Sequence, residues 1–273
     1  MIKKSLLLCA GLLAGVASFG QKSKDLLIQM IFVKGGNFYM GYDDPQFHSA
    51  EYDNERPVHR VHVSDFYIGK YEVTLGQWKK VMGVYPAAYN GVDYANKDCD
   101  DCPVVKVNWD DVQEFIKRLN EKYPGKNYRL PSETEWEFAA RGGKYSKKYL
   151  YSGSDKLSMV GWYGKKNSAA HPVGQKQPNE IGIYDLAGNV AEWCADWYDE
   201  GYYSTTTDAT DPKGPKTGQF RIARGGSYYD DDAMCRSVNR GRYLPETRQW
   251  NLGFRLAFDP PAGSKPEEPA KTN

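Results

Sequence analysis

The chain has 273 residues, with 7 Trp, 21 Tyr and 10 Phe beside 27 Gly and 15 Pro, too many rings for a disordered chain and too many helix breakers for a coiled coil or helical bundle. Lys and Arg number 36 against 35 Asp and Glu, so no global charge recruits nucleic acid or an anionic membrane surface. The balance is that of a soluble globular protein with short strands and many turns, a composition that suits recognition of a ligand or protein.

In chain order, a basic start (Lys3, Lys4), an apolar run over residues 5–17 and the small residues Ser18 and Gly20 read as a secretory signal peptide over residues 1–20. The run is shorter than the roughly 20 residues a spanning helix needs, and no later segment is apolar enough to cross a membrane. A lipoprotein signal built on Cys9 is the rival reading, but Leu8 is the wrong size for that cleavage. Export places Cys99, Cys102, Cys194 and Cys235 in a disulfide-permissive compartment. A single CxxC at Cys99 and Cys102 lacks the further ligands of a structural zinc site. Residues 103–107 after it read as a strand, not as the helix that a redox motif opens. A local Cys99–Cys102 disulfide is therefore expected, which leaves Cys194 and Cys235 for each other.

Three helices are predicted. Residues 74–82 open on Thr74 and Gln77, spaced as a capping box, and stop at Gly83. Residues 109–120 carry Trp109, Val112, Phe115, Ile116 and Leu119 on one face and end before Pro124 and Gly125. Residues 132–141 pair Ser132 with Glu135 in a second capping box and close at Gly142 and Gly143. Strands are predicted over 31–33, 38–41, 58–68, 184–185, 221–225 and 253–257. With no repeat and no internal linker, this is one α+β domain over residues 21–258, and the Pro-, Glu- and Lys-rich tail over 259–273 is expected to be disordered.

A series of motifs then carries a resemblance. Phe32 to Gly41 (FVKGGNFYMG), Glu55 to Val61 (ERPVHRV), Tyr67 to Thr74 (YIGKYEVT), Pro103 to Trp109 (PVVKVNW), Tyr128 to Glu137 (YRLPSETEWE), Gly188 to Trp193 (GNVAEW), Arg224 to Tyr228 (RGGSY) and Asn251 to Arg255 (NLGFR) occur in the order used by the formylglycine-generating enzyme, or sulfatase-modifying factor, family. The chain resembles that family over roughly residues 30–258. The resemblance implies an α+β fold of low regular secondary structure, the family's variant of the C-type-lectin-like fold. It also implies a chemistry: oxidation of a sulfatase cysteine to formylglycine by O2 on a copper ion held by two thiolates, the soft ligands that select Cu(I).

At the positions matching that cysteine pair stand Asp230 and Cys235, and counting back from Leu252-Gly253-Phe254-Arg255 indicates a shorter loop here. Ser227 matches a serine of the oxidases, whereas Ala191 stands where they place a tryptophan. Catalysis, if retained, would fall to Cys235 and Ser227, but one thiol among Asp230, Asp231 and Asp232 makes a poor Cu(I) site. A three-histidine iron site, used by another branch of the family, is also disfavoured. The chain has only His48, His59, His62 and His171, and a strand would turn His59 and His62 to opposite faces.

The resemblance further implies a structural Ca2+ site at Asp185, Gly188, Val190 and Glu192, two carboxylates and two backbone carbonyls in a hard oxygen environment. It also places Tyr228, Tyr229, Asp230, Arg236, Arg240 and Arg242 along the family's substrate groove, where they would bind a peptide or glycan; alternatively the arginines pair with Asp230 to Asp232 and hold the loop. The expected function is an exported protein of the periplasm or cell envelope that binds a protein, peptide or glycan partner without copper-dependent oxidation. The opposing expectation is an oxidoreductase that makes formylglycine with O2.

Overall fold

The structure, a computed structural model, describes residues 28–47, 52–89, 98–164, 169–261 and 263. The expected signal peptide over 1–20 and most of the expected tail over 259–273 lie outside the described residues, as does His48.

Three helices start on reciprocal caps, because a side-chain oxygen at the N-cap satisfies backbone donors that the first turn leaves unpaired. In α1 (Leu75–Met82), Thr74 and Gln77 exchange these bonds and Gly83, in the left-handed conformation, ends the helix. In α2 (Trp109–Lys122) Asn108 and Asp111 do the same, and Val112, Phe115, Ile116 and Leu119 form its buried stripe. In α3 (Glu133–Ala140) the pair is Ser132 and Glu135, and nearly every residue of the helix is buried. A further helix, α4 (Leu157–Val160), is a single turn.

The strands form three small sheets. The first joins β1 (Met30–Val33), β4 (Phe66–Gly69) and β10 (Ala257–Phe258) in the order β1-β4-β10; the second joins β2 (Gly36–Met40), β3 (His59–Val63) and β6 (Ala209–Thr210) in the order β2-β3-β6. The strand predicted over 58–68 is thus two strands in different sheets. At its break, the Asp65 carboxylate accepts from the Gly35 N–H at 2.9 Å, and the Ser64 N–H donates to Asp211 at 2.7 Å, so side chains replace ladder partners. The third sheet, in the order β8-β7-β5-β9, comprises β5 (Ala191–Trp197), β7 (Arg221–Arg224), β8 (Arg240–Tyr243) and β9 (Leu252–Phe254). Residues 184–185 are not a strand, since Asp185 takes a positive φ of 58°. The strand read into residues 103–107 reduces to an isolated bridge between Pro103 and Thr74.

One cluster of the core joins α1 and α2 to Trp193, Leu252 and Phe254 of the third sheet; another joins Trp136 and Phe138 of α3 to Phe66 and Ile68. Ion pairs run through this interior. Glu55 with Arg236, Glu133 with Arg240, Glu137 with Arg224 and Glu192 with Arg255 are all almost fully buried. Each charge there has its partner and added hydrogen bonds, the condition under which burial of an ion pair is tolerated.

Candidate functional site

The loop after β7 begins with two glycines that both take positive φ, Gly225 at 94° and Gly226 at 64°. A side chain at Gly226 would sit 2.7 Å from the Met234 carbonyl and 2.9 Å from Cys235 Sγ. Only glycine lets the returning chain lay Cys235 against this turn. Ser227 is the hub of the loop: its hydroxyl donates to Asp230 Oδ2 at 2.6 Å and accepts from Asn251 Nδ2 at 2.9 Å. The Asp230 carbonyl accepts from the Gly164 N–H at 2.7 Å, tying the loop to the segment after α4.

Cys235 lies beneath this turn, fully buried. Burial, reinforced by Asp230 and Asp231, pushes its thiol far above the usual range, and burial likewise raises the Asp230 carboxyl. Its surroundings, apolar side chains and nearby carboxylates, are the reverse of the electropositive setting that activates a cysteine. Above it opens a cleft of about 950 Å³ lined by Trp162, Tyr163, Lys176, Tyr229, Asp230 and Asp231 among others. Tyr229 is 42% exposed and meets Trp250 edge-on, with ring centres 4.7 Å apart. Trp162 is sandwiched, with the His171 ring stacked at 3.7 Å and the Lys176 ammonium 4.0 Å from its ring centre.

Of the residues expected to bind a partner, Tyr229 and Asp230 line this cleft. Tyr228 is buried, with its ring 5.4 Å from that of Trp250. Arg236 is not a surface residue: it is fully buried and makes a two-pronged pair with Glu55, both bonds 2.8 Å. Arg240 is equally committed, to Glu133 at 2.7 and 2.9 Å. Arg236 and Arg240 are thus held by glutamates distant in sequence. Arg242 is exposed on β8, where it donates to the Tyr198 hydroxyl at 2.7 Å.

The cysteines divide likewise. Cys99 and Cys102 are disulfide-bonded as expected. Cys194 and Cys235 are both free and buried, which overturns the expected bond between them. Cys194 packs with Trp136 and Ile222, whereas Cys235 packs with Tyr151, Leu157 and Val160, so the two thiols sit in different apolar clusters.

Residues 16–260 match the family model described as the sulfatase-modifying factor enzyme 1-like domain. The chain belongs to the sulfatase-modifying factor family. It is 31% identical over 294 residues to the formylglycine-generating enzyme of Thermomonospora curvata, covering 85% of this chain and 93% of that protein. It is 34% identical over 218 residues to the chaperone protein LppX of Paenibacillus barcinonensis, covering 62% of this chain and 71% of that protein. Among solved structures, Treponema denticola variable protein 1 superposes with a TM-score of 0.73 at 30% identity, covering 85% of this chain and 95% of that one. The α+β fold of the family is the fold observed.

Within this family fold, the residues matched to a calcium site are placed unevenly. Glu192 has both oxygens engaged: Arg255 donates to them at 2.6 and 2.5 Å, and Trp136 Nε1 donates at 2.7 Å. Asp185 is buried, and its Oδ2 accepts from the Gly174 N–H at 2.7 Å while its Oδ1 has no partner among the described residues. Gly188, at φ 79°, brings the turn against the Trp162 carbonyl so closely that a Cβ would lie 2.1 Å from that oxygen. The orphaned Asp185 oxygen fits a cation, whereas Glu192 is already saturated by its guanidinium.

His59 and His62 fall on opposite faces of β3, His59 buried against Tyr203 and His62 Nδ1 within 3.1 Å of Asn37 Oδ1. Among the cleft residues missed by sequence reasoning are Trp162, Tyr163 and Lys176. The adjacent rings of Trp162 and Tyr163 ahead of Gly164 were the available signal.

Proposed function

We propose that this family member binds a protein, peptide or glycan partner through the cleft over Ser227 to Cys235, without copper-dependent cysteine oxidation, and that it does so after export to the periplasm or cell envelope. The observation that carries this reading is the donor set at Cys235: one free, buried thiol, with Asp230 where the family resemblance puts the second thiolate. Cu(I) requires soft anionic sulfur. An open cleft that mixes aromatic rings with carboxylates suits stacking and hydrogen bonding to a partner. Similarity to a protein named as a chaperone supports a partner-binding role.

The site's own residues do the holding. Ser227 fixes Asp230 and receives Asn251, Trp250 backs Tyr229, and Gly164 clamps the loop. Ca2+, whose chemistry here would be to neutralise buried carboxylates and stiffen the Gly188 turn, would be held by Asp185 together with the carbonyls of Gly188 and Val190 that the family resemblance assigns to it, without Glu192, which Arg255 occupies.

The purified mature protein, loaded with copper and given a cysteine-containing sulfatase-type peptide, is expected to consume no O2 and form no aldehyde. Turnover that disappears in Cys235→Ser would overturn the proposal in favour of the oxidase. Secretion is tested by fractionating cells that express the full chain; retention of unprocessed protein in the cytoplasm would overturn that part.

A further inference from the structure

The geometry points to a second binding site, for an anionic saccharide, in a cleft that shares no lining residue with the one over Cys235. This cleft encloses about 640 Å³ between β2, the end of α3 and residues 143–150, and Phe38, Tyr39, Tyr149, Arg141, Lys144 and Lys148 are among its lining.

The first observation is charge. Three cationic side chains line the cleft with one carboxylate, Asp155, whose Oδ1 already accepts from the Leu150 N–H at 2.9 Å. Lys148 is exposed, and its ammonium has no ion-pair partner among the described residues. Arg141 is held in place by Glu137 at 2.8 Å and by the Gly41 carbonyl at 2.6 Å, while its buried Nε has no partner. Glu137 is shared: it also pairs with Arg224, and Arg224 and Arg240 share Glu133. Two carboxylates therefore serve three guanidiniums, and one of the three, Arg141, reaches the cleft wall.

The second observation is shape and chemistry. Tyr39 is 66% exposed on β2, and the neighbouring Phe38, on the other face of the strand, packs on Phe138 with ring centres 5.1 Å apart. Rings that show a face to solvent stack on the C–H faces of a pyranose, and fixed cations pair with its carboxylate or sulfate groups. Three backbone donors beside the cleft are taken up internally. The Gly41 N–H donates to Glu137 at 3.0 Å, the Tyr42 N–H to the Glu55 carbonyl at 3.0 Å and the Lys148 N–H to Ser146 Oγ at 3.2 Å. β2 is an edge strand to which an extended peptide could add, so the peptide is the rival that the test includes, whereas the cationic and aromatic lining suits the saccharide.

The test is calorimetric titration of the mature chain with polygalacturonate oligosaccharides (carboxylate) and dextran sulfate oligosaccharides (sulfate), beside neutral dextran and a poly(Glu,Tyr) peptide. At least one anionic saccharide is expected to bind, more weakly as salt rises, while neutral dextran does not. Lys148→Glu and Tyr39→Ala, both at exposed positions whose folding is checked by circular dichroism, are each expected to weaken binding about tenfold, and Tyr229→Ala in the other cleft is expected to leave it unchanged. Failure of both anionic saccharides to bind would overturn the proposal. So would equal binding of neutral dextran, tighter binding of the peptide, or indifference to both cleft variants.

Discussion

Truncating Glu55 tests whether Arg236 is a buried anchor or a surface ligand. Glu55→Ala removes two charge-assisted bonds of 2.8 Å and an amide bond from Asn239 at 3.2 Å, and strands a guanidinium that has no solvent exposure. Breaking a buried pair on one side costs about 3–5 kcal/mol, and about 2–4 °C per kcal/mol in a domain of this size puts the loss of Tm at roughly 6–20 °C. Thermal unfolding followed by circular dichroism, with a urea titration alongside, reads this directly. The double variant Glu55→Met/Arg236→Met removes both charges together and should cost much less than the two single changes summed. A fall in Tm of less than about 2 °C for Glu55→Ala, the range of ordinary surface substitutions, would refute the reasoning, as would strictly additive losses in the double variant.

Other outcomes follow from the same interior. Burial, with Glu133 next, pushes the Asp196 carboxyl from its ordinary value of 3.8 up to about 8. The folded state keeps a proton that the unfolded chain releases, so this group's contribution to stability is complete below about pH 4 and is lost as pH rises through 8. Asp196→Asn should flatten that decline in denaturant titrations at several pH values, and an unchanged slope would contradict it. Thiol reagents should find no reactive cysteine in the native mature protein and two after unfolding without reductant, Cys194 and Cys235; none after unfolding would restore the disulfide between them. Gly226→Ala, forced to φ 64° and against Cys235 Sγ, should cost about 1–3 kcal/mol and make Cys235 reactive in the folded state, so native-state labelling at the wild-type rate would count against the close packing. Finally, Ca2+ in excess should raise Tm, by about 2.7 kcal/mol of stability at a hundred times Kd, and Asp185→Ala should abolish the response; a melting curve indifferent to Ca2+ and chelator would remove the ion from the proposal.

Local chemistry was the legible part of the sequence. Thr74 with Gln77 and Ser132 with Glu135 are caps whose partners lie three residues away, and both form. Asn108 with Asp111 has the same spacing, so the second helix too had a readable start. The interior β-structure was hidden for the opposite reason. β5 is buried on both faces along most of its length and carries Glu192 and Asp196 inside, so it shows no alternation, and its acids are explained by distant partners: Arg255 and Trp136 for Glu192, and the Glu133 N–H for Asp196. The arginines misled in the same way. Arg236 and Arg240 stand beside an acidic triplet in sequence, but their partners Glu55 and Glu133 are 181 and 107 residues away. Trp162 and Lys176 belong to the cleft because the chain returns there in three dimensions, which no local pattern records.

The anchoring of the Ser227 to Cys235 loop has a consequence for how this protein can change. Its two ends are fixed from below, at the Gly225 and Gly226 turn and at Arg236 clamped to Glu55, while Asp231 and Tyr229 at the crest contribute side chains to the cleft. Recognition by the proposed cleft would thereby be uncoupled from foldedness: the crest can be rewritten while its moorings stay intact. A library randomised at Tyr229, Asp231, Asp232 and Ala233, with Ser227, Asp230 and Cys235 held constant, would turn the chain into a display scaffold for new recognition surfaces.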